Sequence, residues 1–105
     1  MPKVIKTQDV MSMLSNMPEE KVFWCNDGRI FRNMRDMGDG LSSMTEETYG
    51  YHAHADKNDF ANWVRDVIRD GDLAKNISKA TNRTQAAKVV ADRVSLLERK
   101  SKIVK

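Results

Sequence analysis

One cysteine in 105 residues, Cys25, leaves no partner for an intramolecular disulfide and excludes the stapled frameworks of small secreted domains. A lone thiol suits a reducing compartment, so a cytoplasmic location is expected. Two histidines, His52 and His54, fall short of the three or four ligands of ordinary zinc sites, and they are the only weak metal candidates. Long apolar runs are also missing. No stretch approaches the ~18 residues of a membrane span, and "MPKVIKTQDV" has no signal-peptide core, so no membrane association is expected. The single glycine of "NDGRIF" cannot build the cradle of N–H groups that a phosphate loop uses. There is no internal repeat, no low-complexity segment, and proline occurs only at positions 2 and 18.

What is present suits one folded domain over residues 1–105, with fraying expected at 1–6 and 100–105. The chain is 40% hydrophobic and 31% charged, ordinary for a globular protein. A domain of this size buries ~65% of its unfolded surface, enough for one modest core. The net charge of +3 is unevenly spread. Residues 1–52 sum to −2 and residues 53–105 to +5, with nine basic side chains against two acidic ones from Lys75 onward. Lys88, Arg93, Arg99, Lys100, Lys102 and Lys105 are therefore candidate polyanion contacts. Asp92 and Glu98 dilute that set, so any binding of nucleic acid would be weak and directed at the phosphate backbone.

Periodicity and end signals divide the chain into elements. "TQDVMSMLSNMP" places Val10, Met13, Leu14 and Met17 at helical spacing, with Thr7 as N-cap and Pro18 beyond the end. "KVFWC-NDG-RIF" reads as a β-hairpin whose turn residues tolerate positive φ. Asn33 caps a helix with Met34, Met37 and Leu41 on one side, although Gly38 and Gly40 each cost up to ~1 kcal/mol there. "TYGYHAH" alternates and predicts a third strand, on which His52 and His54 would point to one face. Asn58 caps a helix with a Phe60, Trp63, Val64, Val67 and Ile68 stripe, with Asp59 in its first turn and Arg69 in its last. "DGD" at 70–72 ends that helix and caps the next, which buries Leu73, Ile77 and Ala80. Thr84 opens a final helix with Ala86, Val90, Val94 and Leu97 along one face. The predicted fold is α+β: a hairpin and a third short strand packed with about five helices, the C-terminal half all-helical.

"FWCNDGRIFRNM" and "YHAHADKNDFANWVRDVIRDGDLAKNI", with their spacing, resemble an uncharacterised family of small prokaryotic α+β domains common in archaea. The resemblance covers roughly residues 20–78. It rests on an Asp-Gly turn, a His-bearing strand and an Asn-Asp-Phe-Ala-x-Trp helix start. The matching positions are Asp27, Gly28, His52, Asn58, Asp59, Phe60, Ala61 and Trp63. The Gly-rich "DMGDGLSSM" departs from a more leucine-rich family helix. The resemblance implies a fold and carries no activity.

Each of these residues has a structural task. Asn58 accepts orphan N–H groups, Asp59 meets the positive helix end, and Phe60 and Trp63 supply core area. His52 is expected to be hydrogen-bonded where the strand meets the helix, and His54 exposed. Cys25, on a strand among aromatics, reads as an inert small apolar group, with His52 as its one candidate base. The acidic clusters sit where turns and helix starts favour carboxylates. No catalytic residue and no cofactor is expected. Of the seven methionines, four fit helical stripes and so fill the core; any left exposed beside Trp24 would mark a protein-binding groove or dimer interface. The expected function is a non-catalytic interaction or assembly module, joined to a protein partner or to itself. Nucleic-acid association through the basic C-terminal helices is the alternative.

Overall fold

The computed structural model describes residues 7–54 and 56–103, and the side chains of residues 10–54 and 56–100. Helix α1 (Thr7–Leu14) precedes a 3-10 turn at Glu19–Lys21 and the hairpin strands β1 (Phe23–Trp24) and β2 (Ile30–Phe31). Then come α2 (Met34–Ser43), α3 (Glu46–His52), the strand pair β3 (Ala53–His54) and β4 (Lys57–Asn58), α4 (Asp59–Trp63), α5 (Gly71–Lys79) and α6 (Arg83–Ile103). The fold is α+β and mostly helical, with two small antiparallel strand pairs. Phe23 faces Phe31 across the first pair, and Ala53 faces Asn58 across the second.

The hairpin turn follows from its sequence. Gly28 N–H donates to the Cys25 carbonyl at 3.0 Å and Cys25 N–H to the Arg29 carbonyl at 2.9 Å. Gly28 stands at φ 95°, the left-handed position that a three-residue hairpin loop assigns to glycine. Alternation along β1 buries Phe23 and Cys25 and turns Trp24 outward.

The helices gather around α6, whose 21 residues span roughly 30 Å. It packs against α1, α2 and α5, while α4 lies on α5. Met34, Met37, Leu41, Ile77, Ala86, Val90 and Leu97 are fully buried at these contacts. Asn33 caps α2 by accepting the Asp36 N–H at 2.8 Å. The two α2 glycines, read from sequence as weak points, are where neighbours come closest. A Cβ on Gly40 would lie 2.3 Å from the Phe31 ring, and one on Gly38 would lie 3.2 Å from Val90 Cγ1.

The third strand predicted over "TYGYHAH" is corrected. Residues Glu46–His52 are helix, and only Ala53 and His54 are extended. Thr45 accepts the Thr48 N–H at 3.1 Å, and Glu46 and Glu47 occupy the first turn. Thr48, Tyr49 and His52 are buried, which is a helical rather than an alternating spacing. The cap and the acidic first turn outweigh the β-prone composition. His52 and His54 therefore lie on different elements and do not share a strand face.

Asn58 accepts the Ala61 N–H at 3.1 Å and caps α4. The helix continues as a π turn at Val64–Ile68 and ends at Arg69, which is left-handed at φ 70°. Asp70 caps α5 by accepting the Leu73 N–H at 3.1 Å. The final helix is capped by Asn82, which accepts the Gln85 N–H at 2.8 Å, rather than opened by Thr84. The proposed Thr7 cap and the expected fraying of residues 1–6 lie outside the description, whereas α6 continues as helix to Ile103.

A histidine node beneath an exposed aromatic surface

His52 ends α3, and the capped start of α4 brings Asp59 to it. Its Nδ1 is 2.9 Å from Asp59 Oδ2, and its Nε2 accepts the Asn26 N–H at 2.9 Å. An Nε2 that accepts must be unprotonated, so the proton sits on Nδ1 and is donated to the carboxylate. The ring is 5% exposed and meets Phe23, Phe60 and Tyr51 edge-on at 5.1, 5.4 and 4.9 Å between centroids. One imidazole thus joins the hairpin turn to α3 and α4. Asp59 also takes the Lys57 ammonium at 3.3 Å. Burial acts to raise the Asp59 carboxyl, but the hydrogen bonds from His52 and Lys57 outweigh it and hold it below its ordinary value.

Cys25 lies one residue before the Asn26 N–H that occupies His52 Nε2. Burial pushes its thiol up, and the hydrogen bond to the Asp27 carboxylate adds to this against the backbone N–H of Asp27. Both changes oppose thiolate formation, and the nitrogen a base would use is already engaged. Asp27 itself meets Arg29 at 3.1 Å and accepts the Arg29 backbone N–H, which closes the turn. The constellation of Cys25, His52 and Asp59 holds three chain segments together.

Two large aromatics stand exposed on the elements that His52 joins. Trp24 is 67% exposed and Tyr51 is 58% exposed, and Lys57 Nζ stands 5.8 Å from the Tyr51 ring centroid. The elements bearing them are linked through His52, which touches both Phe23 and Tyr51. Met11 is the other exposed large apolar side chain among the described residues. Met34, Met37 and Met44 fill the core, and Met13 and Met17 pack against it. Trp63 is buried, and its Nε1 donates to the Lys21 carbonyl at 2.8 Å, so it anchors α4 to the approach to β1.

The basic residues that cluster by composition are separated by tertiary structure. Arg93 forms a two-pronged ion pair with Asp70, Nε to Oδ2 at 2.7 Å and Nη2 to Oδ1 at 2.9 Å. Asp70 is 1% exposed, so Arg93 faces inward and leaves the polyanion set. Lys88 pairs with Asp92 at 3.4 Å one turn along α6. Arg35, reaching across from α2, holds Glu98 with its Nε at 3.1 Å. Arg99 is exposed, Lys100 half-buried, and the side chains of Lys102 and Lys105 lie outside the description.

His54 is exposed. Among the described residues no group of three His, Cys, Asp or Glu side chains gathers closely enough to hold a metal ion. No described helix is long and apolar enough to cross a membrane. Comparison with protein-family models, curated proteins and solved structures yields no match.

Proposed function

We propose that this chain is a non-catalytic interaction module that docks a protein partner, or a second copy of itself, through the aromatic surface at Trp24 and Tyr51. The carrying observation is the outward placement of these two rings on elements held rigid by the buried His52 node. Aromatic side chains supply large contact area at small entropic cost and dominate binding hot spots. The non-catalytic part is supported by a thiol pushed toward its neutral form and by a histidine with both nitrogens engaged. The lone thiol supports a cytoplasmic site of action.

The test is a Trp24→Ala, Tyr51→Ala double variant. Both side chains are exposed, so its denaturation midpoint should stay within about 0.5 kcal/mol of the parent. Its self-association by sedimentation, and its recovery of proteins cross-linked in the host, should be lost. Unchanged association by the folded variant rejects the assignment. A duplex-DNA anisotropy titration at ~150 mM salt examines the rival reading. Binding tighter than ~10⁻⁶ M that disappears when Arg99, Lys100, Lys102 and Lys105 are neutralised would replace the protein-docking reading with phosphate-backbone binding.

A further inference from the structure

A cleft of about 470 Å³ opens between the β3–β4 pair and the C-terminal end of α5, lined by Tyr49, His54, Asp56, Lys57, Asn58 and Ser78 among others. Small-molecule sites commonly occupy about 300–1,000 Å³. Tyr49 is 9% exposed, yet its hydroxyl makes no hydrogen bond within the described residues. Among the described residues no fully buried side-chain oxygen lacks a partner, so this hydroxyl must reach solvent, and Tyr49 is one of the residues that line the cleft. Among the described residues, Ser78 Oγ, the His54 imidazole and the Asp56 carboxylate likewise make no hydrogen bond.

The charges in the cleft are unequal. Lys57 is already paired with Asp59, and nearby Arg83 is held by Glu46 at 2.7 Å. Among the described residues Asp56 forms no ion pair, so its negative charge is open to the cleft. The wall formed by Ser78 and Ala80 is the carbonyl end of α5, which favours a cation. Tyr49 Oη, Ser78 Oγ and Asp56 can all accept, which is what a primary ammonium with three N–H donors requires. Burial, with Glu46 nearby, keeps the Tyr49 phenol in its neutral form, so its oxygen accepts without adding charge.

We infer that this cleft binds the ammonium group of a small free primary amine, held by the Tyr49 hydroxyl, Ser78 Oγ and the Asp56 carboxylate. The site borders the Tyr51 surface through Lys57, but its three ligands are distinct from Trp24 and Tyr51, so its failure would leave the docking proposal standing. The experiment follows backbone amide shifts of isotope-labelled protein during titration with n-propylammonium, with propionate and 1-propanol as controls of equal length. Saturable shifts at Tyr49, His54, Asp56 and Ser78 are expected with the amine alone. Tyr49→Phe, which removes one oxygen from a wall of the cleft, should weaken the amine about fivefold, the worth of one net hydrogen bond. Asp56→Asn should weaken it by about tenfold or more, since that acceptor is charged. Linear, non-saturating shifts, an equal response to propionate, or undiminished affinity in both variants overturns the assignment.

Discussion

Alanine at each helical glycine of the first half should give three different results, ordered by what the new methyl group meets. Replacing glycine in a helix interior gains about 1 kcal/mol from backbone entropy. At Gly40 the added Cβ would lie 2.3 and 2.4 Å from two atoms of the Phe31 ring. Phe31 is 2% exposed and stacked on Phe23 at 5.4 Å, so the ring has nowhere to retreat. Overpacking a tight core costs about 1–3 kcal/mol, or more where backbone must shift. Gly40→Ala should therefore lose up to about 2 kcal/mol net, the 2.3 Å contact placing it toward the upper end. At Gly38 the neighbour is Val90 Cγ1 at 3.2 Å, a contact that small shifts of α6 relieve, and Gly38→Ala should be close to neutral. At Gly50, inside α3, nothing lies within 4 Å, and Gly50→Ala should gain about 0.5–1 kcal/mol. Urea denaturation with a shared m-value reads all three, and each kcal/mol corresponds to about 4–8 °C in Tm for a domain of this size. A stabilised Gly40→Ala, or equal effects at Gly40 and Gly50, would refute the claim that α2 carries glycine for close approach.

Asp70→Ala removes the α5 cap and leaves Arg93 half-buried without its partner, so a loss of about 3–5 kcal/mol is expected by denaturation. A double-mutant cycle with Arg93→Met should recover part of it, and strict additivity would show that the pair is not coupled. Asn58→Ala should cost about 1 kcal/mol through the lost α4 cap, whereas Trp63→Ala should cost about 3–5 kcal/mol through lost core volume and the lost bond to Lys21. If the two proved equal in urea, the assignment of cap and anchor would be wrong. Asp59 is lowered below its ordinary value of about 3.8 in the folded chain, so its contribution is present above that value and is lost as pH falls through the folded one. Stability measured from pH ~6 downward should accordingly fall more steeply for the parent than for Asp59→Asn, and parallel curves would contradict this.

The local grammar of the chain was legible in its residues. Asn33, Asn58 and Asp70 cap the helices they were expected to cap, because a short polar side chain beside orphan N–H groups acts within three or four residues. Asn-Asp-Gly closed the hairpin for the same local reason, and the apolar periodicity of α2, α4, α5 and α6 pointed to the residues that form the core. Over residues 46–52 two local signals competed. Period-two alternation favours a strand, while Thr45 with Glu46 and Glu47 forms a helix start, and the helix start prevails. Only the strand alternative would put His52 and His54 on one face.

Long-range partners were decided only by tertiary structure. Gly40 lies beneath Phe31, Arg93 binds Asp70 across 23 residues, and the Asn26 N–H binds His52 across 26. Composition gives Arg93 a charge, but only the packing of α6 on α5 says whether that charge faces water or a buried carboxylate. The hairpin reading of "KVFWC-NDG-RIF" leaves open which of Phe23 and Trp24 faces the core. The side chosen depends on where α4 brings Phe60 and Trp63, whose rings lie 5.2 and 6.0 Å from Phe23. Propensity and capping act between neighbours in sequence, whereas burial and pairing act between neighbours in space, and only the folded chain specifies the second set.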